Sequence, residues 1–206
     1  MSIKNLPLLL VPFILAGCID AGDLLLNFKF PVSLHPFFTE KEITFDQQLL
    51  GDWQMENSNS NDLYRFEEGE KKSYKILIIE DGKIAASFES YALKLNNKLY
   101  LDISPTTSDT NNSPPTNPLL LPTHMLAKIE AIEPNLQVQL LSIPDTLEKD
   151  PNFLKHETVD SYIVLTASTK ELQNFIKAHT DDKEIFGDPL VLKRLKPNKI
   201  VDCNKP

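Results

Sequence analysis

Leu49-Leu50-Gly51-Asp52-Trp53 is the stretch on which the fold turns. It follows a short helical turn, Asp46 to Leu50, and opens a ladder of short alternating segments, each closed by its own turn chemistry. Leu63 to Phe66 reads as a strand turned by Glu67-Glu68-Gly69-Glu70. Ser73 to Glu80 is the next, and Asp81-Gly82 after it is the pair that a tight primed turn needs, because both central residues take positive φ. Lys83 to Leu95 forms a long strand with Ile84, Ala86 and Phe88 on one face. Asn96-Asn97 turns it, and Leu99, Leu101 and Ile103 then alternate with Tyr100 and Asp102, the pattern of a half-buried strand.

Pro105 to Pro118 is polar and proline-rich and reads as a loop. His124 to Ile132 resumes the ladder, Glu133-Pro134-Asn135 turns it, and Leu136, Val138 and Leu140 share a face. Ile143 to Leu154 suggests one or two helical turns. Ser161 to Ala167 is the most strand-like segment by composition. Ser168 then caps a helix over 169–179, with Glu171 at the capping-box position and Leu172, Phe175 and Ile176 as its apolar stripe. Pro189 to Leu195 is the last strand. The expected fold is mainly β: about eight or nine antiparallel strands, joined mostly as hairpins and closed into an up-and-down barrel that leaves no edge, with one late helix.

Gly51-x-Trp53 after a helical turn, with Arg194 near the end of the last strand, resembles the lipocalin-type (calycin) barrel. The resemblance implies that Trp53 closes the barrel base and that Arg194 packs over its ring, a cation–π contact of about 0.5 to 2 kcal/mol. Leu190, Leu192 and Arg194 share one strand face, which lets Arg194 reach inward. Asp160-Ser161-Tyr162-Ile163-Val164-Leu165 is similar to a motif of a late lipocalin strand. The helix over 169–179 departs from that family, whose main helix follows the final strand. The whole pattern also resembles uncharacterised bacterial lipoproteins, and a Trp can equally plug any small β core.

Upstream, Leu6 to Ala16 is an apolar run ending in Leu15-Ala16-Gly17-Cys18. Eleven apolar residues are too few to cross a hydrocarbon core of about 30 Å. The run resembles the lipobox of bacterial lipoproteins, which implies a signal peptide over 1–17, an acylated Cys18 that anchors the chain to a membrane, and a site in the bacterial envelope, periplasm-facing or on the outer membrane. Residues 18–45 form the lipidated arm, and 46–206 the barrel domain. The arm carries Leu24-Leu25-Leu26, Phe28, Phe30 and Phe37-Phe38, so it either lies on the body, covering an edge or a mouth, or holds the body close to lipid. Cys203 is the other cysteine.

The chain of 206 residues is 41% hydrophobic with a net charge of -8, which argues against nucleic acid as a partner. Six glycines leave little material for phosphate cradles. His35, His124, His156 and His179 lie in unrelated elements, without metal-ligand spacing, and no acid, base and nucleophile set can be assembled. No cofactor, metal or catalytic residue is expected. The leading expectation is a membrane-tethered binding protein whose barrel holds or transfers a small hydrophobic ligand. Candidate lining residues are Ile76, Ile78, Ile84, Phe88, Leu99, Leu101 and Val138. His124, beside the polar loop, is either a ligand contact or a hydrogen-bonded strand end. The alternative is an envelope protein with a filled barrel that binds another protein.

Overall fold

A computed structural model describes residues 30–56, 60–106, 122–144, 150, 153–159 and 162–196. The leader with Cys18, residues 107–118 of the polar loop, the segments 145–149 and 151–152, Asp160-Ser161 and Cys203 lie outside the described residues.

Two short strands in the arm, β1 (Val32–Ser33) and β2 (Ile43–Thr44), precede a single 3-10 turn, Gln47–Leu49. Then come β3 (Gly51–Met55), β4 (Leu63–Glu68), β5 (Ser73–Glu80), β6 (Lys83–Leu95), β7 (Lys98–Pro105), β8 (Met125–Ala131) and β9 (Asn135–Leu140). Each of these seven pairs antiparallel with its neighbour in sequence. Asp81 (φ 48°) and Gly82 (φ 74°) turn β5 into β6, and Asn96 (φ 48°) and Asn97 (φ 61°) turn β6 into β7. Such left-handed pairs match the twist of the strands they join. A final strand, β12 (Leu190–Arg194), enters between β9 and β3, antiparallel to both, and closes an eight-stranded barrel.

The excursion from β9 to β12 builds a second layer. It contains β10 (His156–Val159), β11 (Tyr162–Leu165) and the helix α1 (Thr169–Ala178). Ser168 accepts from the Glu171 amide and Glu171 accepts from the Ser168 amide, so the capping box is formed. β11 is not a barrel strand: it pairs antiparallel with β10 and parallel with β1. Its apolar residues Ile163 and Leu165 face α1 and the barrel's outer wall rather than the barrel interior, within a cluster that includes Leu93, Tyr100, Leu172, Ile176 and Phe186.

That layer also changes the character of β7. Tyr100 and Asp102, expected on a solvated face, are 0% and 1% exposed because the arm and the second layer cover them. The barrel interior is a separate cluster, with Trp53, Phe66, Ile76, Leu101, Leu136 and Leu192 among its members. The two clusters meet across the β6–β9 wall, whose residues alternate between them.

Candidate functional site

The barrel has a closed end and a chambered end. At the closed end Asp46 caps the 3-10 turn by accepting from the Gln48 amide at 3.0 Å. Trp53, fully buried, donates its indole N–H to the Leu49 carbonyl at 2.9 Å. The Arg194 guanidinium lies over the indole with its carbon 4.1 Å from the ring centroid. It donates to the Leu50 carbonyl at 2.6 Å and also to the Gln48 carbonyl. Gly51 has φ +122°, and a Cβ there would sit 3.0 Å from Nη1 of Arg194. A side chain at 51 would be strained and would press on the clamp, which explains glycine at that position. Asp52, between them, points outward to an ion pair with Arg65 at 2.7 Å.

The opposite end, where β3, β5, β7 and β9 finish, holds a chamber of about 110 Å³. Its walls come from inward positions of the strands: Met55, Tyr64, Ile78, Phe88, Ile103 and Leu190 are among them. Met125, Leu126 and Leu141 add to the wall near the mouth. Phe30 and Pro31 belong to no barrel strand and complete it from the arm. None of the lining residues is charged, and Tyr64 alone among them carries a hydroxyl. The Tyr64 Oη is buried and has no hydrogen-bond partner among the described residues. Burial, and the negative charges of Asp62 and Glu80, push its pKa up to about 12, so the phenol stays a donor at neutral pH.

The arm is held to the body along its described length. Ser33 and His124 exchange two backbone bonds of 2.8 and 2.9 Å at the mouth. Asp102 accepts from the Phe37 amide at 2.7 Å and bonds His124 Nδ1 at 2.7 Å. From α1, Thr169 donates to the Pro36 carbonyl at 2.7 Å and Gln173 to the Phe37 carbonyl at 3.0 Å. β2 then pairs with the lower part of β6, beyond the point where β5 begins.

Of the lining candidates, Ile76, Ile78, Phe88, Leu101 and Val138 stand in the chamber wall. Ile84 does not. Between Ile78 and Ile79 the β5–β6 register shifts, so that Ile78 faces Ala86 while Ile79 faces Ile84. The extra residue, Ala85, turns Ile84 outward onto Leu63, Leu77 and Ile79. Leu99 points inward but lies one residue from the β6–β7 turn, in the core near Trp53 and below the chamber. His124 is outside the barrel altogether, bonded to Asp102 beneath the arm, so it is a structural strand end and not a chamber contact. Pro31 and Tyr64 were not foreseen, and Phe30 was expected only as part of an arm lying over an edge or a mouth. The inward parity of Tyr64 with Phe66 was the available signal for one of them.

A second, open cleft of about 420 Å³ lies on the outer surface between the arm and the β4–β5 turn, lined by Phe38, Tyr91 and the Lys71-Lys72 pair among others. Among the described residues no group of three or more His, Cys, Asp or Glu is arranged to hold a metal ion. Compared with known proteins, the chain matches no family model, no curated protein and no solved structure.

Proposed function

We propose that the chain is a membrane-anchored bacterial lipoprotein, tethered in the cell envelope through acylated Cys18, whose lipocalin-like barrel binds or transfers a small hydrophobic ligand. The observation that carries this reading is the apolar chamber at the barrel end opposite the Trp53–Arg194 plug. Apolar cavities of about 150 Å³ stay dry and admit a benzene ring. A chamber of about 110 Å³ suits something slimmer, such as the end of an alkyl chain. The tether supports a membrane source for that chain: Phe30 is at the chamber, and the twelve residues back to Cys18 span at most about 40 Å.

The volume also favours a second reading. Small-molecule pockets usually begin near about 300 Å³, and a barrel that is mostly filled suits an envelope protein that engages another protein through its outer surface.

Native mass spectrometry of the protein purified from membranes separates the two. A stoichiometric adduct that leaves on solvent extraction, and that is missing from the Val138→Phe variant, supports the carrier. A clean apo mass after exposure to membrane lipids sinks it and leaves the interaction protein.

A further inference from the structure

The chamber is uniform except at one place. Tyr64 is paired across β4 and β5 with Ile78, so both side chains face inward at the same height. Its hydroxyl is buried without a partner among the described residues. An unpaired donor in an apolar wall is costly unless something bonds it, so it favours any guest that brings an acceptor. Asp62 precedes β4 and Glu80 ends β5, both beyond the Leu63–Ile79 pair on the same side of Tyr64, and both act on its hydroxyl electrostatically. No Lys, Arg or His lines the chamber. An anionic headgroup would therefore meet like charge on two strands and no lining cation, in surroundings where an uncompensated charge is poorly tolerated.

Resting on the carrier reading, we infer that the chamber takes a neutral ligand, an alkyl chain bearing an uncharged oxygen acceptor such as an alcohol, ether or ester, that accepts a hydrogen bond from Tyr64, and that it rejects the corresponding carboxylate. The chain end fills the space between Leu101 and Val138, and the oxygen meets the hydroxyl.

Three probes on the full-length chain carrying Cys18→Ser, followed by NMR titration at pH 8, test this. Xenon reports the cavity alone, 1-hexanol adds a neutral acceptor, and hexanoate carries the charge. The expected order is hexanol tighter than hexanoate by about tenfold or more. Tyr64→Phe should weaken hexanol about three- to tenfold, the range for one net hydrogen bond, while leaving xenon unchanged. The double variant Asp62→Asn, Glu80→Gln should narrow the gap between hexanol and hexanoate. Hexanoate binding as tightly as hexanol, or Tyr64→Phe weakening xenon and hexanol alike, overturns the inference and leaves the chamber a carrier of another kind. Failure of all three probes overturns the carrier reading together with it.

Discussion

Replacing Gly51 and Arg194, singly and together, probes the closed end of the barrel. Arg194→Ala removes a guanidinium 4.1 Å from the Trp53 ring and its bonds to the Leu50 and Gln48 carbonyls. Arg194 is solvent-exposed, so the lower part of each range applies: about 0.5 to 1 kcal/mol for the cation–π contact, and about 0.5 kcal/mol or slightly more for each hydrogen bond. The sum is about 2 kcal/mol, or a fall in Tm of about 4 to 8 °C for a chain of this size. Gly51→Ala is expected to cost about 2 kcal/mol or more, from an L-residue at φ +122° and from a methyl group 3.0 Å from Nη1. Only the steric part depends on Arg194. In the Arg194→Ala background the Gly51→Ala cost should therefore shrink by about 1 kcal/mol, a coupling within the range expected of residues in contact. Urea unfolding followed by fluorescence suits the question, because Trp53 is the only tryptophan and lies within the clamp. Strict additivity, or an Arg194→Ala variant within about 0.5 kcal/mol of the parent, would refute the clamp.

Two further predictions test the chamber and the arm. The Tyr64 pKa is raised when folded, to about 12 from an ordinary 10, so its contribution to stability is full below pH 10 and is lost as pH rises from 10 through 12; alkaline urea melts should show a shallower decline in Tyr64→Phe than in the parent, and equal declines would mean that the phenol ionises freely. Asp102→Ala strands the buried Phe37 amide and His124 and should cost about 3 kcal/mol, with chymotrypsin then cutting at Phe37 or Phe38 faster than in the parent; an unchanged cleavage rate would show that Asp102 does not hold the arm.

What the sequence made legible was mostly local. Asp81-Gly82 and Asn96-Asn97 carry their turn geometry in their own residue types, and Ser168 with Glu171 states a helix start within four positions. Parity along single strands placed Leu192 and Arg194 on the side of Trp53, and Ile76, Leu101 and Val138 in the interior. Parity fails where the register breaks. Nothing in Lys83-Ile84-Ala85-Ala86 announces the bulge that turns Ile84 outward, because it is set by the pairing with β5 rather than by β6 alone. Parity also gives a face without a height, so Leu99 and Leu101 look equivalent although Leu101 lines the chamber and Leu99 lies below it. Asp102 was misread for a third reason. A polar residue alternating with apolar ones signals solvent when one face is bare, but here a second layer from distant sequence covers that face, and the carboxylate serves the arm's backbone.

That second layer links the arm to the chamber. Residues that follow β9 fold back as β11 and α1, and Leu165, Thr169 and Gln173 bind the arm at Leu34, Pro36 and Phe37. The arm then runs to the closed end, where the Asp46 amide donates to the Tyr74 hydroxyl at 2.6 Å, and enters the barrel through Gly51. Its route is thus fixed from Val32 to Trp53, by contacts with barrel strands, β11 and the helix. Phe30 and Pro31 lie just upstream of Val32, the first residue paired with β11, and they are also the arm's contribution to the chamber wall.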